Sequence, residues 1–374
     1  MSQRETLLII DTSENNADLF YRTRFLVGVT VIYLEVNGKK TLLLNDLEYG
    51  RAGVEARVDA IVSSTPYEER LRAAGEPLRV VNIVDLYLKE LGIHELTVPA
   101  SFPFAHAERL REKGYVLRLR DDPFFVERTI KSPAELAAIE GTQRQTEAAM
   151  DMAMGMLKKS EIHGDRLHYQ GQPLTAEKLR TEIHKFFLDR ECQAMNTIVA
   201  GGDLGADPHT RGTGPLPANQ TIILDIFPQS TTTRYWGDMT RTVVRGKATP
   251  AVKKLYRDVL DAQNLAFSLI RDGAEGTHVH EEVVSLFKER GNPNEEVRGK
   301  KTGYIHGTGH GIGLDLHEAP RLGRVEAKLL AGQVVTVEPG LYYPGVGAVR
   351  LEDVVVVTKD GCRNINKFPK VLEI

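Results

Sequence analysis

Four acidic residues stand where apolar ones are expected. In TIILDIF, alternation puts Ile222, Leu224 and Ile226 on one face of a strand and Ile223, Asp225 and Phe227 on the other, so Asp225 sits among apolar neighbours. In the return strand YWGDMTRTVV, Asp238 shares a face with Thr240 and Thr242. Glu338 ends the Val-rich strand QVVTVEP, and Glu352 shares a face with Arg350 in the strand AVRLEDVVVVT. Burying a carboxylate without a partner costs several kcal/mol, and four close together repel one another unless protons or cations compensate them. A metal pair answers both problems: hard divalent cations favour oxygen ligands, and two of them can share bridging carboxylates and a hydroxide nucleophile. The chemistry so implied is metal-assisted hydrolysis. His310, in HGTGHGIGLDLHE, supplies the one nitrogen, and Gly307, Gly309, Gly311 and Gly313 let the backbone approach the site closely. Any one of these acids alone is more often a turn or surface residue than a ligand. Acids in apolar strands, duplicated along the chain and joined by a histidine in a Gly-rich loop, are not explained that way.

The elements that position these residues run in the same order twice. The first pass has helices near 133–158 and 175–190, a Gly-rich loop, and the strands bearing Asp225 and Asp238. The second has helices near 250–271, starting at Thr249-Pro250, and 277–290, capped by Thr277 and stopped by Gly291. Another Gly-rich loop and the strands bearing Glu338 and Glu352 follow. Such a sequence predicts an α+β arrangement, with antiparallel strands covered by helices and the two halves meeting at a central sheet. Before it, short helices and alternating strands include a hairpin in which VTVIYLEV and KTLLLN flank Asn37-Gly38, a pair suited to a type I′ turn. Ser132-Pro133-Ala134-Glu135 is a capping box with proline at the first helical position. The domain boundary is placed just before it, giving domains 1–130 and 131–374.

Composition narrows the function classes. A chain of 374 residues with a net charge of -3 has no global attraction for nucleic acid or anionic lipid, and neither partner is expected. The N-terminus MSQRETLLII lacks the pattern of a signal peptide, and no window has the length of a membrane span. Cys192 and Cys362 are read as reduced, and a cytoplasmic location is expected. HGTGHGIG fits neither the dinucleotide fingerprint nor a phosphate loop, and the sequence has no His-Glu-x-x-His or paired Cys-x-x-Cys. His278 and His280 stand at a helix start without a partner pattern and are read as structural.

Between about residues 130 and 358 the sequence resembles the pita-bread metallopeptidase superfamily, which includes prolidase, aminopeptidase P, methionine aminopeptidase and the metal-free creatinase. The resemblance rests on SPAELAAIEGTQRQTEAAM, IVAGGDLGADPH, LDIF, WGDMTRT, HGTGHGIGLDLHE, TVEPGLY and VRLEDVVVVT, in that order. It implies a pita-bread fold with a pseudo-twofold repeat. NADLFYRTRFLVGVTVIYL resembles the smaller α/β N-terminal domain of creatinase and prolidase, which points to the proline-directed branch. Carried over, the resemblance makes Asp225 a terminal chelating ligand and Asp238 and Glu352 bridges, with His310 and Glu338 completing the other ion. The two divalent ions would be Mn²⁺ foremost, or Co²⁺ or Zn²⁺. Glu338 would also shuttle the proton of the metal-bound water. His209 and His317 would contact the substrate carbonyl, and Arg350 would orient neighbouring carboxylates or substrate. His306 matches a further family histidine, or else packs under the loop. The implied enzyme is a homodimeric Xaa-Pro dipeptidase or aminopeptidase acting on small peptides, whose N-terminal domains help wall the partner's active site. DPHTRGTGPL departs from the family's usual form after its histidine, and Asp225 and Asp238 stand two residues further apart than usual. An even insertion keeps both acids on one face, with the extra residues in the turn around Gln229 to Thr233. A creatinase-like C–N hydrolase without metal, or a non-catalytic binding adaptor, would be expected to have lost ligands that are intact here.

Overall fold

The computed structural model describes residues 5–297 and 299–374. The chain divides into two compact units, Met1–Arg128 and Thr129–Ile374. Among the described residues no helix is long and apolar enough to cross a membrane.

The first unit is a sheet buried on both faces. Its strands are β1 (Thr6–Asp11), β2 (Val31–Val36), β3 (Lys39–Leu44), β4 (Ala60–Ser63), β5 (Glu95–Pro99) and β6 (Val116–Arg120), in the order β4-β3-β2-β1-β5-β6. Antiparallel β2 and β3 are joined as expected at Asn37-Gly38, where φ is 54° and 83°, the two positive values that a type I′ turn requires. Alternation divides the sheet. Leu8, Ile10, Ile32, Leu34 and Leu43 pack with Val84 and Leu88 of α4 (Val80–Leu91), after α1 (Ala17–Thr23), α2 (Asp46–Glu55) and α3 (Thr65–Ala73). Leu7, Ile9, Tyr33, Leu42 and Leu44 pack on the other face with Leu19 of α1 and Ala52 of α2. The short α5 (Phe104–Glu112) completes the unit.

The second unit repeats one arrangement. In its first half α6 (Pro133–Lys159) and α7 (Ala176–Leu188) cover an antiparallel sheet of β7 (Ile198–Gly201), β8 (Thr221–Ile226) and β9 (Met239–Val244). In its second half α8 (Pro250–Leu269) and α9 (Gly276–Glu289) cover a five-stranded sheet. That sheet contains β10 (Gly309–Gly311), β11 (Glu318–Leu322) and β12 (Val334–Val337). After the hairpin of β13 (Gly340–Tyr343) and β14 (Gly347–Arg350), it ends with β15 (Asp353–Val357) and β16 (Cys362–Asn364), in the order β11-β10-β12-β15-β16. The trio β7-β8-β9 thus corresponds to β10-β12-β15.

Ser132 and Glu135 form the expected capping box, and Thr249 caps α8 ahead of Pro250. Thr277 does not cap α9. That helix begins at Gly276, where a Cβ would lie 2.4 Å from the Arg321 carbonyl, so close packing rather than a side-chain cap sets its start. Gly291, with φ 73°, follows its end as expected.

Each half buries one face of its strands under its own helices. Ile222, Leu224, Ile226, Met239 and Val243 pack with Met150 of α6 and Ile183 of α7 in one core. Val335, Val337, Val355 and Val357 pack with Val259 of α8 and Val283 of α9 in another. The opposite faces of the same strands are left to meet each other, and there the acids lie.

Candidate metal centre and active site

Only Asp225 lies inside a strand; the expectation of four strand-borne acids needs correction. Asp238 precedes β9, Glu338 follows β12, and Glu352 stands between β14 and β15. The continuous strand read in AVRLEDVVVVT is broken because the chain there leaves the β13–β14 hairpin for the large sheet. At the break the Glu352 N–H donates to the Thr240 carbonyl (3.1 Å), which ties the second half to β9 of the first. The faces are nevertheless those expected: Asp225 shares its side of β8 with Ile223, which packs against Tyr342 and Ala348.

All nine candidate residues line one cavity of about 690 Å³: Asp225, Asp238, His310, Glu338, Glu352, His209, His306, His317 and Arg350. One potential ligand atom from each of Asp238, His310 and Glu352 lies within 4.8 Å of the others, and all three residues are buried. His310 Nδ1 contacts its neighbour's carbonyl, Gly311 O, at 3.1 Å. With the proton on Nδ1, the Nε2 lone pair faces Glu338 Oε1 at 3.5 Å and Asp238 Oδ2 at 3.8 Å. A lone pair facing carboxylate oxygens is stabilised by a cation between them. Asp225 Oδ1 and Asp238 Oδ1 are buried without a hydrogen-bond partner among the described residues. Buried acceptors of this kind, in an oxygen-rich set with one imidazole, fit divalent-cation ligation.

The electrostatics agree. Burial, reinforced by Glu352, Asp225 and Glu338, pushes the Asp238 carboxyl well above its usual range. Burial, with Glu338 and Asp225, does the same to Glu352. Glu338 is raised to about 7, chiefly by burial, against the opposing pull of Arg350. His310 is lowered to about 3 by burial and His317, so it is neutral and able to ligate near neutral pH.

Asp225 is held differently. Arg350 Nη2 donates to its Oδ2 at 2.6 Å, and Arg350 Nη1 donates to the Tyr342 hydroxyl at 2.8 Å. Tyr342 in turn lies 2.9 Å from His306 Nε2, while His306 Nδ1 lies 2.7 Å from the Gly307 carbonyl. Burial lowers His306 to about 3, so the neutral ring donates from Nδ1 and accepts the tyrosine proton at Nε2. Both ring nitrogens are therefore engaged within the protein. His209 and His317 are exposed to the cavity, and the His317 ring stands at 82° to that of His310 with centroids 4.3 Å apart.

Several supporting residues escaped the sequence reading. Gln143 of α6 bonds both the N–H and the carbonyl of Asp238 (2.9 Å each). Gln263 of α8 donates to the carbonyls of Val337 (2.9 Å) and Leu351 (3.1 Å), beside Glu338 and Glu352. A glutamine at helical spacing with apolar residues, Gln143 with Ile139 and Met150 and Gln263 with Val259 and Ala266, was the available signal. Arg241 uses all its guanidinium nitrogens on the carbonyls of Thr240, Glu352, Phe368 and Pro369 and on Asp353. Thr240 donates to Glu352 Oε2 at 2.7 Å.

Gly307 and Gly309 line the cavity, and three of the glycines of HGTGHGIG are also required by close packing. A Cβ at Gly309 would lie 1.9 Å from the Thr336 carbonyl, one at Gly311 2.3 Å from that of Ala319, and one at Gly313 2.6 Å from Glu318. His280, read as structural, is buried and contacts Thr308 at 3.0 Å, whereas His278 is exposed.

The family model described as metallopeptidase family M24 matches residues 137–359. The chain is 27% identical over 349 residues to the Xaa-Pro dipeptidase of Pyrococcus horikoshii, covering 91% of this chain and 88% of that protein. Among solved structures, the Xaa-Pro dipeptidase from Bacillus anthracis superposes with a TM-score of 0.82 at 23% identity, over 99% of this chain and 95% of that one. The X-Pro aminopeptidase from Thermotoga maritima gives 0.81 at 20%, over 99% and 98%. These likenesses bear out the pita-bread fold and its N-terminal companion.

Proposed function

The chain belongs to metallopeptidase family M24, and from that premise we propose that it hydrolyses Xaa-Pro bonds in small peptides with the help of two divalent ions. The observation that carries this is the buried convergence of Asp238, His310 and Glu352 around facing lone pairs. Asp225 and Glu338 complete the set, with Asp238 and Glu352 as the residues shared between two ions, Mn²⁺ being the first candidate and Co²⁺ or Zn²⁺ alternatives. Bound there, such ions would lower the pKa of water and polarise the scissile carbonyl.

The chain's own residues supply the remainder. Glu338, at the edge of the ion site, is suited to take the proton of the attacking water and deliver it to the departing imino nitrogen, its basicity set by the ions beside it. Partial desolvation at the cavity wall, with Arg321 nearby, lowers the His317 ring from its usual range, and with His209 it can donate N–H to the oxygen on which negative charge develops. Arg350 holds Asp225 in place, and His306 with Tyr342 holds Arg350. Arg321 and Arg324 line the same cavity and are cations placed to meet a free peptide carboxylate, which favours dipeptides over longer substrates. Proline selectivity is supported by the dipeptidase relative. A homodimer and a cytoplasmic location accompany the proposal; the sequence resemblance supports the first, and the free Cys192 and Cys362 fit the second.

The test is release of the N-terminal residue from Ala-Pro, Ala-Pro-Ala-Ala and Met-Ala-Ser by chelator-stripped protein, with and without Mn²⁺, Co²⁺ or Zn²⁺. Metal-restored cleavage of Ala-Pro above the tetrapeptide is the expected result. Cleavage of Met-Ala-Ser alone would move the assignment to methionine peptidases, and activity indifferent to metal would remove the metal from it.

A further inference from the structure

We propose that Lys131 is a positioning residue for His317, acting through Glu318; this rests on the role of His317 at the substrate carbonyl. Lys131 Nζ and Glu318 Oε1 form an ion pair whose side chains are only 2% and 4% exposed. A pair so deeply buried contributes little net stability over two apolar side chains of similar size. What it does supply is direction. The Glu318 carboxylate also accepts from the Asp315 N–H (3.4 Å), and Gly313 lies so close that a Cβ there would stand 2.6 and 2.8 Å from its two oxygens.

Glu318 therefore fixes the inner side of the loop from Gly313 to His317, the residue directly before it. The loop's other side is held by Trp236, whose backbone N–H donates to the Gly313 carbonyl and whose indole Nε1 donates to that of Leu314, each at 3.0 Å. Lys131 is itself anchored, its N–H donating to the Gly332 carbonyl at 2.9 Å and its ammonium to that of Thr129 at 3.4 Å. Glu318 further pairs with Gly311 in the β10–β11 register, next to His310. Glu318, through its carboxylate at Asp315 and its backbone at Gly311, thus ties the ends of the segment that sets the His310 and His317 rings against each other.

Lys131→Met is expected to lower kcat about 100-fold, the scale of a displacement of about 1 Å at a reacting group, with metal content unchanged. Lys131→Met/Glu318→Leu restores thermal stability by replacing the pair with apolar groups but does not restore kcat. Lys131→Met/His317→Ala loses no more than His317→Ala alone, whereas losses that multiply would show that Lys131 acts elsewhere. Independently of turnover, the ring-nitrogen NMR signals of His317 in metal-free protein move in Lys131→Met while those of His306 stay. Unmoved His317 signals would overturn the proposal. A silent His317→Ala with moved signals would instead overturn the role of His317 on which the kinetic effect depends.

Discussion

The two halves of the catalytic unit put acids at matching places and treat them unlike. β8 carries Asp225 near its end and β12 is followed by Glu338; Asp238 stands just before β9 and Glu352 just before β15. Each long helix sends one buried glutamine to the backbone beside these acids. The side chains then depart from the repeat. β10 carries His310, whereas its counterpart β7 is Ile198, Val199, Ala200 and Gly201. Asp225 has Arg350 against it, borrowed from the second half, while Glu338 faces the lone pair of His310. Gln143 satisfies both its ends on Asp238, but Gln263 Oε1 is unpartnered among the described residues, because the Glu352 N–H goes to Thr240 across the halves. A repeated backbone supplies equivalent stations, and unequal side chains give them unlike surroundings: oxygens beside a guanidinium at one, oxygens with an imidazole at the other.

If Asp238 and Glu352 are equivalent, Asp238→Asn and Glu352→Gln should each reduce metal content and turnover to background. Unequal losses, read by elemental analysis and peptide hydrolysis, would break the equivalence. Arg350→Met addresses the asymmetry. It leaves Asp225 buried without its cation and should destabilise metal-free protein by about 3–5 kcal/mol. The deficit should shrink when Mn²⁺ is added, as followed by denaturant unfolding with and without chelator. Thr240→Val removes a hydroxyl of the first half that orients Glu352 of the second, and metal affinity measured by titration should weaken about tenfold. The smallest effect is in pH. A carboxyl raised to about 7 holds its proton below that value, so the proton competes with the cation and affinity falls as pH falls. On account of Glu338 alone, calorimetric affinity should drop about twofold from pH 8 to pH 7; a larger drop would mean that Asp238 and Glu352 also release protons.

Much of this was legible from period-two alternation, which placed Ile222, Leu224 and Ile226 under helices and Asp225 on the opposite face. Alternation carries no information on where a strand changes sheet. VRLEDVVVV reads as one run because β-branched residues suit both β14 and β15, and the break at Leu351 and Glu352 is set by partners more than a hundred residues away, such as Thr240. The same distance hid Lys131 with Glu318, and Arg241 with Phe368 and Pro369. Tyr342 left a fainter trace: Gly340, two residues earlier on the same face, has no room for a Cβ beside the tyrosine ring.

The grip of Arg241 on Phe368 and Pro369 also bears on the order in which the molecule is built. Until those two residues have left the ribosome, the guanidinium beneath Glu352 lacks two of the carbonyls it uses in the finished fold. The Glu352 end of the cavity is therefore completed late, and a nascent chain already bearing all four acids and the histidine would hold cations poorly until Phe368 and Pro369 had emerged.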